Sequence, residues 1–191
     1  MKRTTGIAVL SLFFLLGTAT TQAASGGGNF TIGVGPIGNL FIFDSRPELD
    51  PGIGGFVYFD YRWSPQLSTT VTVLVANQDG TGPDNGDNDI ILFGLPTFDI
   101  KYYFLTRASK WDPYAQMGVG TYALSEGSVS NGTPAVGLGA DIGFGFDYYF
   151  TEQWTVGLGM QYRSIGLITD WDGPGTGIFP LSLTGSVAMH F

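Results

Sequence analysis

Along most of this chain, apolar and polar residues alternate one for one. Over 179–191, Phe179, Leu181, Leu183, Gly185, Val187, Met189 and Phe191 share one face, and Pro180, Ser182, Thr184, Ser186, Ala188 and His190 share the other. A period of two with unlike faces is the mark of a strand. The same reading gives strands over 154–163, 136–150, 67–75 and 57–63, two further runs over 90–104 and 114–124, and a less regular one over 30–43. In that first run Pro36 is expected to mark a bulge or a change of face, because proline cannot donate to a ladder. The total is eight strands.

The connections alternate in length. Those over 64–66, 106–110 and 151–153 are short, whereas 44–55, 77–89, 125–135 and 166–178 are longer and rich in Gly, Pro, Asn and Asp. Short turns at one end and long loops at the other describe an antiparallel up-and-down barrel that crosses a membrane. A soluble barrel or sandwich would turn its polar face to water. Against it stand the aromatics at the turn ends of the strands, namely Tyr61, Trp63, Tyr102, Phe104, Tyr148, Phe150 and Trp154. Aromatic girdles of this kind sit at membrane interfaces. The fold class expected is therefore all-β, an eight-stranded antiparallel transmembrane β-barrel.

Composition sharpens this picture. Only 13% of the 191 residues are charged, about half the usual ~25%, so intrinsic disorder is excluded. Acidic residues outnumber basic ones 16 to 8, which removes the electrostatic footprint of a nucleic-acid binder. With Cys 0 and His 1, disulfide scaffolds, thiolate metal sites and Cys nucleophiles are excluded, and no cofactor is expected. Lys2 and Arg3 precede the apolar run over 7–16, and Thr21-Gln22-Ala23 supplies small residues at the positions a signal peptidase reads. Residues 1–23 are thus expected to be a cleaved export signal and 24–191 the barrel domain.

Several constellations could carry chemistry. Gly33-Val34-Gly35-Pro36-Ile37-Gly38 matches G-x-G-x-x-G, but Leu40-Phe41-Ile42-Phe43 continues it as a strand rather than the helix the fingerprint needs. His190 is read as a lumen-facing side chain, not a catalytic base. Asp79, Asp84, Asp87 and Asp89 crowd the second long connection. A solvated acidic turn is favoured there over a cation-binding loop. The inward faces carry Asp60, Arg62, Asp99, Lys101, Asp141, Asp147 and Arg163, the expected lumen charge network. If Phe150 lies opposite Trp154, Asp141 falls opposite Arg163, and an ion pair is expected there. Asp60, Arg62, Asp99 and Lys101 are expected to form a second cluster nearer the short turns.

With these features the chain resembles small outer-membrane barrels of the OmpA-transmembrane, OmpX and OmpW type. The resemblance rests on the leader, the eight alternating strands and the ending Leu183-x-Gly185-x-Val187-x-Met189-x-Phe191. It rests also on Leu95-Pro96-Thr97-Phe98-Asp99-Ile100-Lys101-Tyr102-Tyr103-Phe104, followed by Trp111-Asp112-Pro113-Tyr114 and Gly118-Val119-Gly120, which is similar to the middle of OmpW-like proteins. The charged inward face is nearer the OmpA style, so the subfamily stays open. The resemblance implies a place in the Gram-negative outer membrane and contact with its lipid and lipopolysaccharide. It also implies passage through periplasmic chaperones and the barrel-insertion machinery, for which Leu183, Gly185, Val187, Met189 and Phe191 look like the assembly signal.

The expected protein is a monomeric, non-enzymatic barrel with a side-chain-filled lumen and a structural or surface-interaction role. The alternatives are a narrow, porin-like pore for small solutes and, behind it, a lipid-modifying barrel enzyme.

Overall fold

A computed structural model describes residues 29–41, 49–81, 87–105, 110–126, 134–168 and 177–191. The strands are β1 (Phe30–Phe41), β2 (Gly52–Ser64), β3 (Leu67–Thr81), β4 (Asp87–Tyr103), β5 (Trp111–Glu126), β6 (Ala135–Tyr149), β7 (Trp154–Leu167), β8 (Gly177–Ile178) and β9 (Pro180–His190). Every adjacent pair is antiparallel, and β9 closes the circle by pairing with both β7 and β1. β8 keeps the register that β9 has against β7. The two are one stave interrupted at Phe179, so the barrel has eight staves.

The register also defines the shape. Stepping across partners from Phe30 leads through Tyr61, Thr69, Ile100, Met117, Ile142, Tyr162 and Leu181, and returns to β1 at Leu40. The return lies ten residues from the start. In an eight-stave barrel such a stagger gives a tilt near 40° and an interior that side chains can fill.

The alternation of the sequence becomes an inside and an outside. Val34, Met117, Val119, Ile142, Phe144 and Leu158 lie on the exterior, each 57–61% exposed. Asp60, Arg62, Asp99, Lys101, Asp141, Asp147 and Arg163 lie inside, each under 9% exposed. An exterior this apolar is a surface for lipid, and closure leaves no strand edge to satisfy. Around the short turns the exterior is aromatic: Tyr61 packs edge-on to Trp63 at 4.6 Å between centroids, Tyr102 on Phe104 at 5.8 Å, and Trp111 on Tyr148 at 4.9 Å.

Two expectations are corrected. Pro36 makes neither a bulge nor a change of face, since the β1–β2 register runs through Pro36↔Gly55 without a break. On its other side the pairing stops between Val34↔Val187 and Ile37↔Thr184, so the missing N–H falls where no partner is engaged. There Gly35 lies so close to β9 that a Cβ on it would sit 1.8 Å from the Gly185 carbonyl oxygen. The shift of face occurs instead in β4, where Leu95 and Pro96 are squeezed out between Gly94 and Thr97 against both neighbouring strands. Thr121 Oγ1 donates to the Leu95 carbonyl there.

The second correction concerns the long connections, which are shorter than expected because the strands run on. β3 reaches Thr81 and β4 begins at Asp87, so Asp79, Asp87 and Asp89 belong to strands, with Asp79 directly opposite Asp89. In these extensions the pattern inverts. Asn77, Asp79 and Asp89 face outward, while Ala76, Ile90 and Leu92 face inward. Above the apolar band the exterior meets water and the interior is a hydrophobic core, which a period-two reading for lipid-facing strands passes over.

Candidate functional site

The lumen is layered. At the short-turn end Arg62 is the central side chain. β2 carries it inward, and the bulge between Arg62 and Ser64 leads at once into the turn. Its guanidinium donates to Asp112 Oδ2 at 2.8 Å, to the Pro65 carbonyl at 2.7 Å and to the Tyr149 hydroxyl at 3.2 Å. It also lies 3.8 Å above the Tyr103 ring centre. A charge-assisted, stacked arrangement of this kind uses the planar guanidinium in a way lysine could not. Asp112 was not anticipated as Arg62's partner. Its signal was its spacing of two from Tyr114 and four from Gln116, which places it on the inward face of β5, two residues before the run over 114–124 begins.

One layer deeper, Lys101 Nζ sits between the rings of Tyr58 and Tyr114, at 4.9 and 4.8 Å. Asp60 accepts from Ser68 at 2.8 Å and Thr70 at 2.5 Å, and Asp147 accepts from the Tyr103 hydroxyl at 3.3 Å. Beside this layer, His190 is held at both ring nitrogens: Nδ1 is 2.9 Å from Thr31 Oγ1 and Nε2 3.1 Å from Thr155 Oγ1. Its ring lies against Tyr149 at 5.1 Å.

Mid-lumen, the register is Asp141↔Arg163, but the ion pair expected between them is not formed. Arg163 donates to Ser182 Oγ and, at 2.5 Å, to Gln161 Oε1. Gln161 turns its amide nitrogen to Asp141 at 2.6 Å and to Asp99 at 3.0 Å. Being inward and two residues from Arg163 on the same strand, Gln161 reaches both carboxylates before the longer guanidinium can bend back. Asp99 therefore belongs to this middle group and not to the Asp60–Arg62–Lys101 cluster. Asn39 Oδ1 accepts from Ser182 at 2.6 Å and ties β1 to the same network.

The long-loop end is different. Leu49, Ile90, Leu92, Tyr122, Leu124, Ala135, Ile165, Leu167 and Ile178 form one buried cluster, with Phe41 against it. A smaller one joins Ile37, Leu74 and Ala76 to Phe56. This apolar half of the lumen was not foreseen: Leu49, Ala135, Leu167 and Ile178 stand in segments read as loop, and the runs over 90–104 and 114–124 were read as strands without their faces being assigned.

Of the four aspartates singled out in the second long connection, Asp79 and Asp89 are exposed at strand ends and Asp87 is on β4. Asp84 lies outside the described residues. At the carboxyl end Leu183, Val187 and Phe191 are exposed on the exterior, Met189 and Gly185 share their face, and Phe191 N donates to the Phe30 carbonyl at 2.8 Å. Residues 1–23 lie outside the described residues.

Among the described residues the polar half contains small cavities. One of about 50 Å³ is bordered by Tyr58, Asp99, Lys101, Tyr114, Gln161 and Arg163, and one of about 10 Å³ by Thr31, Asp60, Arg62, Tyr149 and His190. The first has room for a few waters and the second for about one.

With this geometry in hand the comparisons can be placed. The family model for the outer membrane protein beta-barrel domain matches residues 9–186. Among solved structures, the chain is similar to Neisserial surface protein A (NspA), with a TM-score of 0.68 and 16% identity over 86% of this chain and 99% of that one. It is similar to OprG from Pseudomonas aeruginosa, with 0.60 and 15% over 89% and 99%. It is similar also to Ail, the attachment invasion locus protein of Yersinia pestis, with 0.56 and 12% over 86% and 99%. At these identities the likeness is one of fold. Among curated proteins no sequence matches.

Proposed function

Because the chain belongs to the family of outer membrane protein β-barrel domains, a bacterial outer-membrane family, we propose that it is a closed, non-enzymatic barrel with a structural or surface-interaction role rather than a solute pore. One observation carries the reading. Arg62 bridges Asp112, Tyr149 and the Pro65 carbonyl over Tyr103 and so blocks the short-turn mouth. The apolar cluster fills the opposite half. An eight-stave interior is just wide enough for such filling. The non-enzymatic reading is supported at His190, whose two ring nitrogens are both engaged by threonines beside a cavity too small for a substrate.

Export is by the leader over 1–23, cleaved to leave the domain over 24–191. The barrel is monomeric and binds no nucleic acid. Its exterior meets lipid and lipopolysaccharide. Leu183, Gly185, Val187, Met189 and Phe191 form the signal for the insertion machinery, after handover from periplasmic chaperones. Phe191→Asp should lower the amount of folded barrel in cells, read by heat-modifiable gel migration; unchanged amounts remove that assignment.

The experiment on the lumen is conductance in planar bilayers. The protein should insert without steady ohmic current, and Arg62→Ala should introduce one. A large, steady conductance of the unaltered protein overturns the closed-barrel reading in favour of the narrow pore.

A further inference from the structure

The apolar exterior is not equally tall all round. On β3 the outward residues run from Leu67 through Val71 and Val73 to Val75, and the next two, Asn77 and Asp79, are polar and exposed. On β7 they run from Trp154 through Val156 and Leu158 to Ile168, which follows the strand and is 69% exposed. On β6 they rise from Tyr148 to Leu138 and Val136, 58% and 43% exposed. Leu67, Tyr148 and Trp154 all adjoin the short turns. Counted from them, Asn77 and Leu138 are each ten residues up and Ile168 is fourteen. Where β3 has turned polar, β6 is still apolar, and the outward residues of β7 below Ile168, Ser164 and Gly166, are small. At a strand rise of ~3.3 Å per residue and a tilt near ~40°, the apolar flank is ~20 Å tall on β3 and ~35 Å on β7. A membrane barrel ordinarily carries a band of ~25 Å. The short flank and the tall one are four staves apart, on opposite sides of the barrel.

The tall flank fits lipid. It is continuous with the lipid-facing surface below, where Ile142, Phe144 and Leu158 stand out from the same two strands. Its relief suits a chain of methylenes. Leu138 pairs with Gly166, which pairs in turn with Gly177. A Cβ on Gly166 would meet nothing within 4 Å, and one on Gly177 would lie 3.2 Å from the Phe179 ring. Backbone thus floors a shallow trough between Leu138 and Phe179. A second protein is a poorer fit, because a stable interface takes ~20–30 residues a side, and the apolar side chains here are Val136, Leu138, Ile168 and Phe179. A hydrophobic surface taller than the bilayer is accommodated by tilting at modest cost.

We propose that the barrel leans in the bilayer toward β6 and β7, so that outer-leaflet acyl chains cover that flank up to Ile168 while β3 stands in water from Asn77 upward. The proposal rests on the lipid-facing reading of the exterior and adds where lipid ends on each side. Leaning lowers the tall flank and raises the short one, which brings the two boundaries toward one plane. It also lifts the β3–β4 hairpin, with Asp79, Asp87 and Asp89, clear of lipid. The aromatics at the short turns accommodate the lean because the interfacial layer is itself ~5–7 Å deep.

The chain has no cysteine, so single thiols can report the depth of each site. Leu138→Cys, Ile168→Cys, Asn77→Cys and Ile142→Cys are refolded into dimyristoylphosphatidylcholine vesicles at high lipid excess. All four positions are on the exterior, so the barrel should fold in each. One set is challenged with a charged maleimide. A second, labelled with bimane before refolding, is read for quenching by lipids that carry a nitroxide on the acyl chain. Leu138→Cys and Ile168→Cys should react at least ~10-fold more slowly than Asn77→Cys, because the reactive thiolate is disfavoured in hydrocarbon, and they should be quenched as Ile142→Cys is. Either of the two carries the test if the other does not fold. Reaction as fast as that of Asn77→Cys puts the tall flank in water and overturns the proposal. Slow reaction without quenching overturns it too, by placing protein over the flank instead of lipid. A slow, quenched Asn77→Cys puts both flanks in lipid and removes the lean. Fast reaction of Ile142→Cys marks a different failure, that of the lipid-facing reading itself, and the proposal falls with it.

Discussion

Toward the short turns and the middle, the lumen is filled by aspartates, Arg62, Lys101 and Arg163, interleaved with tyrosines and threonines. Toward the long loops it is filled by Ile90, Leu92, Leu124, Ile165 and Ile178, each no more than 1% exposed. The two halves sit in different solvents. The polar half is ringed by lipid, so its exterior must be apolar and only its interior can carry the chain's polar residues. On β3 and β4 the apolar half carries Asn77, Asp79 and Asp89 outside, the ordinary arrangement of a soluble protein, whereas on β6 and after β7 Val136, Leu138 and Ile168 stay exposed beside it. What holds each half together differs accordingly. In one it is directional hydrogen bonding, in which every partner matters. In the other it is burial, in which volume matters.

Substitutions can break or sharpen that contrast. The largest effect is expected from Arg62→Ala. It strands Asp112 in a buried site, and removing one partner of such a pair costs about 3–5 kcal/mol. Urea unfolding in detergent measures the loss. Adding Asp112→Leu should recover most of the stability but not the closed mouth, so conductance and stability should separate. If Arg62→Ala unfolds at the same urea concentration as the parent protein, the polar half is not held by this ion pair.

Leu124→Ala comes next. It should cost about 3 kcal/mol, from the lost burial and the cavity left behind. That cavity is lined by aliphatic groups and stays dry, so no current should appear. A conductance as large as that of Arg62→Ala would erase the distinction between the halves. The smallest effect is expected at Gly166, on the exterior of β7, where an added Cβ meets nothing within 4 Å. Gly166→Ala should change stability by less than about 0.5 kcal/mol; a larger loss would mean that this surface is packed against something.

The membrane-embedded part was the legible part. A strand between lipid and a polar lumen must alternate, so β2, β6, β7 and β9 could be read with their faces, and the register at the turn over 151–153 followed from Phe150 and Trp154. The extensions beyond lipid were illegible for the same reason. On β3 and β4 Ala76, Ile90 and Leu92 turn inward and Asn77, Asp79 and Asp89 outward, and Asp79-Gly80 or Asp87-Asn88-Asp89 reads locally as loop. Pro36 and Pro96 gave the same signal, a missing N–H, with opposite outcomes. The first falls where the β1–β9 ladder is open, the second where both neighbours must be re-registered.

By itself the sequence determined the fold class, the number of staves and the inward direction of most of the lumen's charged residues, though not of Asp112, because alternation is a local property of two adjacent residues. It could not determine who pairs with whom inside. Arg62 reaches Asp112, fifty residues away and three strands on, because the closed, staggered barrel brings their layers level. Gln161 comes between Asp141 and Arg163 because side-chain length and direction in a crowded bore decide which group arrives first. Those choices depend on distances across the lumen, and distances across the lumen exist only once the last strand has met the first.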